Sequence, residues 1–179
     1  MSGPSTDLIA RIQRIEDINA IQALRAWYHR LVNDCEFEKI ADLFTEDGVS
    51  DTGYIGVAVR HGREEIRASM STLGTRLSQI KQFIHSHIVE EIDGDTAKDW
   101  AIIEARYGTA DGVSYLVAGR YDDVYRRVGG KWLFQSQKAS FYFSVPHKGD
   151  GWSGPERHTL AKRPGVVIPR DYKHPNPAL

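Results

Sequence analysis

The chain has 179 residues, which suits one domain that buries its own core without staples, and 23 basic against 24 acidic residues leave a net charge of −1 that favours neither nucleic acid nor an anionic membrane as partner. A single cysteine, Cys35, excludes an internal disulfide, and no apolar run approaches the roughly 18 residues of a membrane span. The opening stretch from Met1 to Asp7 lacks the basic and apolar regions of a secretory signal, so the expectation is a cytoplasmic protein.

Ser5, Thr6 or Asp7 can cap a first helix. Ile9, Ile12, Ile15, Ile18, Ile21, Leu24, Trp27 and Leu31 then recur at helical spacing, with Tyr28 and Val32 widening the same apolar face. Arg11, Arg14, Glu16, Asp17, Gln22 and Arg25 take the other side, and the helix is predicted to end near Asn33 and Asp34. A second short helix is predicted over about 37–44, and Thr45-Glu46-Asp47-Gly48 reads as a turn. Residues 49–59 read as short strands broken at Gly53 and Gly56. His61-Gly62-Arg63-Glu64-Glu65-Ile66 opens a further helix that reaches about Gln79.

Four strands follow, over 81–92, 96–107, 113–128 and 131–145. Asp93-Gly94-Asp95, Ala110-Asp111-Gly112 and Gly129-Gly130 mark the hairpin turns between them. Helices followed by an antiparallel meander define an α+β domain over residues 1–145. From Pro146 onward the apolar periodicity stops. Residues 146–179 are expected to form an extended tail that packs on the domain or on a neighbouring subunit.

Candidate chemistry centres on Phe83-Ile84-His85-Ser86-His87-Ile88-Val89, a strand-like run with two histidines at i and i+2 on one face. Three readings are open: surface or hydrogen-bonded core histidines, a metal site, or acid–base catalysis. A metal site is not expected, because the next histidine, His147, lies at the start of the tail and a catalytic metal usually needs three protein ligands. Acid–base catalysis needs an orienting carboxylate and a pocket. Tyr28 is either a core tyrosine or a hydroxyl aimed into a cavity beside Trp27. Asp34 opposes the helix dipole where it stands, so it is available to pair with an imidazole.

Trp100, Ile102, Glu104 and Arg106 share one strand face, and Ala101, Ile103, Ala105 and Tyr107 share the other, which looks packed. Gly119, Tyr121, Asp123 and Tyr125 fall together on the third strand. In the last strand Trp132, Phe134, Ser136, Lys138, Ser140 and Tyr142 alternate with Leu133, Gln135, Gln137, Ala139 and Phe141. Neither face of these two strands is purely apolar, as expected around a partly open, polar-tipped pocket. The aromatic residues Trp27, Tyr28, Phe83, Trp100, Tyr121 and Tyr142 suit a flat, ring-shaped ligand.

Over about residues 8–145 the order of elements resembles the SnoaL-like branch of the NTF2-like superfamily. The resemblance rests on Ile21, Leu24 and Tyr28, on Ala41-Asp42-Leu43-Phe44-Thr45-Glu46-Asp47, and on His61-Gly62-Arg63-Glu64-Glu65-Ile66. It continues through His85 with Ile92-Asp93-Gly94-Asp95-Thr96-Ala97, then Gly119-Arg120-Tyr121-Asp122-Asp123 and Gly130-Lys131-Trp132. It implies a cone, a curved antiparallel sheet wrapped around helices with an internal pocket. Members include scytalone dehydratase, bile-acid 7α-dehydratase, ketosteroid isomerase, polyketide cyclases and diarylpropane γ-formaldehyde lyases. Others are non-catalytic, or are β-subunits of ring-hydroxylating dioxygenases.

The enzymes work without cofactor on hydrophobic small molecules, and the family implies a homo-oligomer, dimer or trimer. Carried over residue by residue, the resemblance makes His85 the general base and Tyr28 the donor to the substrate oxygen. The helix-end aspartate position holds Asn33, with Asp34 one residue later, so either would orient His85; the last-strand arginine falls near Phe141. His87, Tyr54, Glu104, Tyr121, Trp27 and Phe83 are the further pocket candidates. The implied activity is a dehydratase-type elimination on a hydroxylated aromatic or polycyclic compound. Deformylating carbon–carbon cleavage of an aryl-propane diol and isomerisation or cyclisation are the alternatives, and a non-catalytic ligand-binding or assembly module is the rival of another class.

Overall fold

The structure, a computed structural model, describes residues 4–52 and 58–147. Helix α1 spans Pro4–Asn33 and packs its C-terminal half through Ile21, Leu24, Tyr28, Leu31 and Val32. Leu8, Ile9, Ile12 and Ile15 are exposed, so this chain uses only half of the apolar stripe. Asp17 and Arg25, placed on the outer side by periodicity, are buried. The helix stops where Cys35 takes a left-handed φ of 59°. Cys35 N then donates to Val32 O and Glu36 N to Leu31 O, which satisfies the last carbonyls in a Schellman arrangement.

A 3₁₀ segment at Phe37–Leu43 buries Phe37, Ile40 and Ala41. Strand β1 (Phe44–Asp51) follows directly, so the expected turn at Thr45 to Gly48 lies inside a strand whose pairing is irregular there. Then come β2 (Arg60–His61), α2 (Arg63–Ser71) and α3 (Leu73–Arg76). The expected helix to Gln79 stops early because Leu77 already pairs with Thr109. The meander is β3 (Leu77–Asp93), β4 (Thr96–Thr109), β5 (Ser114–Val128) and β6 (Lys131–Pro146).

The strands form one curved, unclosed sheet in the order β2-β1-β6-β5-β4-β3 around the helices. All pairs are antiparallel except β1 with β6, which run parallel and which the meander reading did not anticipate. No helix among the described residues is long and apolar enough to cross a membrane. The core joins α1, the 3₁₀ segment and α2 to the inner face of β4, β5 and β6 through Ile21, Ile40, Phe44, Ile66, Tyr125 and Phe134.

Bulges give the sheet its curvature and reset its faces. On β3, Ile84 pairs with Ile103 and His87 with Ala101, so three steps on one strand face two on the other. On β6, Phe134 pairs with Tyr125 but Ser136 with Val124. The inner face therefore passes from Trp132 and Phe134 to Gln137 and Ala139, which the two-residue period had put on opposite faces. A third irregularity lies at Gly119, where a Cβ would collide with the Ser140 carbonyl oxygen and sit 3.1 Å from Phe141 Cα. Gly119→Ala is expected to destabilise the fold by about 1–3 kcal/mol, the usual range for overpacking. Denaturant unfolding reads this directly, and an unchanged midpoint would contradict the close approach.

Candidate active site

Between α1, α2, α3 and the inner faces of β3 to β6 lies a cavity of about 230 Å³. Val32, Met70, Leu73, Ile80, Ile103 and Val117 make its walls mainly apolar. Three polar residues of its lining, Tyr28, Tyr121 and Gln137, are buried, at 4%, 5% and 1% exposure, and form its floor. Tyr28 is on the core face of α1, one turn before Val32, while Tyr121 and Gln137 reach in from β5 and β6. Gln137 Nε2 is buried without a partner at full hydrogen-bond geometry among the described residues, and the Gln137 side chain acts on the Tyr28 phenol beside it. Burial pushes the Tyr28 phenol above its ordinary value, while Arg25, Gln137 and Tyr121 pull partly the other way. Tyr28 is therefore a neutral donor at pH 7. Arg60, half-buried, and Arg76, exposed, line the more open side.

Behind this floor lies a buried polar network. Arg25 pairs with Asp123, both almost wholly buried. Its guanidinium carbon stands 4.4 Å from the Tyr121 ring centroid, 4.6 Å from Phe134 and 5.2 Å from Tyr28, so three aromatic faces surround the cation. Asp123 also accepts from the Lys138 backbone N–H at 3.2 Å. The Tyr125 hydroxyl donates to Asp99 Oδ2 at 2.6 Å, and the same carboxylate oxygen is bonded to His87 Nε2. Burial drives the Tyr125 phenol well above its ordinary value.

His29 lies beside this network. Its ring centroid is 5.4 Å from that of Tyr28 and 5.9 Å from that of Tyr121. Its Nδ1 is 3.0 Å from Gln82 Oε1, and its Nε2 has no partner among the described residues. If Gln82 accepts, Nδ1 carries the proton and Nε2 keeps a free lone pair. Burial first, and then the Arg25 charge, lower the His29 pKa to about 3, so the imidazole is neutral near pH 7.

The predicted site residues separate. Tyr28 and Tyr121 meet at the cavity. His85 and His87 do not share a face, because the bulge between Ile84 and His87 turns His87 inward and leaves His85 outward. The His85 side chain is 53% exposed, with its Nε2 3.6 Å from Glu104 Oε2 on the outer face of β4. Phe83 is exposed on that same outer face. The expected pairing of His85 with Asp34 or Asn33 does not form. Asp34 pairs with Arg30 at 3.5 Å, and Asn33 bonds the backbone of Gln82 on both sides, accepting from its N–H at 2.7 Å and donating to its carbonyl at 2.9 Å.

Trp27 lies under Arg30, 4.7 Å from its guanidinium carbon, and lines a separate shallow cleft with Trp132. Tyr54 lies outside the described residues. The residues that the sequence reading missed are Arg25, His29, Asp99, Gln137, Arg60 and Arg76. Asp99 was detectable, since it shares the strand parity of Ala97, Ala101 and Ile103, which are all buried. Among the described residues no three His, Cys, Asp or Glu side chains gather at metal-ligand spacing.

The fold agrees with comparison to known proteins. The SnoaL-like domain family matches residues 13–138, and the chain belongs to that family. A provisionally named aromatic ring hydroxylase from Novosphingobium aromaticivorans is 28% identical over 74% of this chain and 94% of its own, with a TM-score of 0.69. A provisionally named scytalone dehydratase from the same organism is 17% identical over 75% and 89%, with a TM-score of 0.68. A hexachlorocyclohexane dehydrochlorinase from Novosphingobium barchaimii is 18% identical over 78% and 96%, with a TM-score of 0.71. The latter two likenesses concern the fold alone. No curated protein sequence matches at a significant level.

Two outcomes follow from the network. Arg25→Met leaves Asp123 buried and unpaired, with an expected cost of about 3–5 kcal/mol, whereas Arg25→Met with Asp123→Leu should recover most of that loss. Equilibrium unfolding of the single and double variants measures the difference, and equal losses in both would argue against the pair.

The second outcome concerns pH. The folded His29 titrates near 3 and an unfolded histidine near 6.5, so the unfolded chain binds the extra proton between those values. The stability from neutral His29 is complete above pH 6.5 and is lost as pH falls toward 3, by up to about 1.4 kcal/mol per pH unit. His29→Gln should flatten the stability profile between pH 6.5 and 4.5 relative to the natural chain, and parallel profiles would contradict the assignment.

Proposed function

We propose that the protein is a cofactor-independent lyase that performs an acid–base elimination on a small, hydrophobic aromatic compound bearing a carbonyl and a hydroxyl. The observation that carries this reading is the pair of polar groups in the apolar lining, the neutral Tyr28 hydroxyl and the Gln137 side-chain amide beside it. Donors held in such surroundings stabilise charge that develops on a substrate oxygen. At about 230 Å³ the cavity falls below the ~300 Å³ where drug-sized sites begin, which favours one or two rings over a polycyclic skeleton.

In this reading Tyr28 and Gln137 polarise the carbonyl. His29 does not line the cavity; its ring lies behind the Tyr28 and Tyr121 rings, 5.4 and 5.9 Å from them, and in this reading it is the base in place of His85, reaching the substrate only when those rings shift. Its Nε2 takes a proton from the carbon beside the carbonyl, and the released electron pair forms an enolate held by the floor donors. The enolate collapses to a carbon–carbon double bond as the β-hydroxyl leaves with the proton returned from the imidazolium. The net change is loss of one water, and no external oxidant or reductant enters. Deformylating cleavage, isomerisation and cyclisation start from the same polarised oxygen.

A second reading has its own support. Among the described residues the lining holds no carboxylate or imidazole, as expected of a non-catalytic ligand-binding module. A panel of hydroxylated carbonyl aromatics, assayed without cofactor, separates the two. Turnover by the natural chain should fall about a hundredfold in Tyr28→Phe and in His29→Gln, and persist in His85→Ala. Binding without turnover across the panel would leave the module reading.

A further inference from the structure

Arg60 and Arg76 differ from the other arginines of the fold. Between Arg25 and Arg127 each of the others meets a carboxylate: Arg30 with Asp34, Arg63 with Glu46, Arg67 with Asp42, Arg106 with Glu104, Arg120 with Asp122, and Arg126 with Asp47. Arg25 and Arg127 do the same with Asp123 and Asp17. Arg60 and Arg76 have no such partner among the described residues, and both line the cavity. Among the described residues Arg60 Nη1 bonds the Thr52 hydroxyl, at 3.3 Å.

The two cations act on each other and on the cavity floor. Burial chiefly, with the Arg76 charge adding, lowers the Arg60 pKa, while Tyr28, Glu65 and Asp51 act through space in the opposite direction. Glu65 also accepts from the His61 backbone N–H at 2.7 Å, and its charge and that of Asp51 answer part of the Arg60 charge. Two like charges beside an apolar space are thus partly compensated from outside the lining, and an anion placed between them would complete that compensation. The guanidinium fork matches a planar carboxylate in two parallel hydrogen bonds.

We infer that the cavity takes a carboxylate-bearing ligand, a one- or two-ring hydrophobic acid whose anion pairs with Arg60 and Arg76 while a neutral oxygen bonds Tyr28 and Gln137. This names the substrate class of the reaction proposed above and rests on that reading for its chemistry, but the binding is measurable without turnover. The ends of the cavity then have separate tasks: the arginines recognise the acid, and the floor acts on the oxygen.

The test is calorimetric titration of the full chain with 2-naphthoate and with 2-naphthamide, which match in shape and differ in charge. Naphthoate should bind about tenfold tighter, with the advantage shrinking as salt is raised. Arg76→Gln, an exposed substitution, should erase most of that preference and leave the amide unchanged. Arg60→Gln should do the same and Arg60→Lys should retain part of it, with thermal melts confirming that each variant folds. Equal affinity for the two probes, a preference that survives both glutamine substitutions, or failure of both probes to bind overturns the inference. Preference for naphthoate without turnover of any compound leaves the anion site standing and removes the lyase. Turnover of neutral compounds without that preference does the reverse.

Discussion

The buried ion pair of Arg25 with Asp123 is the constraint around which the rest is arranged. It ties the middle of α1 to the middle of β5, so the helix and the sheet cannot slide without separating two charges in a dry interior. The guanidinium is also the surface on which Tyr28, Tyr121 and Phe134 rest. Two of those three rings line the cavity. The cation therefore sets both the depth of the cavity and the direction of its phenols. A hydrophobic residue of similar size at position 25 would fill the volume but would not hold the rings through their electron-rich faces. The same pair explains why a sheet interior with Asp99, Asp123 and Gln137 does not open to water: nearly every charge there is answered within a few ångströms.

Beyond that pair the network continues toward β3. Asp123 leads through the Tyr125 hydroxyl, 3.5 Å away, to Asp99 and then to His87 on β3. Three consecutive strands of the meander, β3 to β5, and α1 are thereby joined through polar side chains across a core otherwise filled by aliphatic and aromatic groups. Besides the Arg25 guanidinium nitrogens, the buried atoms of this network without a hydrogen-bond partner among the described residues are three: His29 Nε2, Asp99 Oδ1 and Gln137 Nε2. A natural interior leaves such groups unpaired at a cost, and two of the three belong to the floor or to the layer behind it.

The elements were legible where local chemistry decides them. The spacing of Ile21, Leu24, Tyr28 and Leu31 and the glycine-bearing turns at Gly94, Gly112 and Gly129 placed α1 and the four long strands with small errors at their ends. What was not legible is whatever depends on a ladder partner. A period-two reading assumes an unbroken strand, and β3 and β6 are both bulged, so His85 moved out and Gln137 moved in. The parallel pairing of β1 with β6 joins segments about ninety residues apart and leaves no local trace. Arg25 was misplaced for a different reason: charge was taken as a mark of the solvent face, whereas a guanidinium with an aromatic box and a carboxylate is at home in a core. The site was thus half readable. The tyrosines were found from the helix face and the strand parity, and the groups behind them were not.

The placement of Arg25 also bears on the protonation of its neighbours. Its charge acts on Tyr28 and on His29 at once, and the two effects have different signs of consequence. It draws the phenol toward ionisation, against burial, and so makes Tyr28 a better donor without removing its proton. It repels a proton from His29, in the same sense as burial, and so holds that imidazole neutral while lowering its basicity. Burial still leaves the phenol above its ordinary value, so both groups are neutral near pH 7. Because Asp123 balances the guanidinium, this bias comes without a net charge on the floor itself. The charged groups that line the cavity itself are Arg60 and Arg76. An anionic group is therefore attracted to the entrance and finds no matching cation at the floor, which orients a ligand with one acidic end before any chemistry begins.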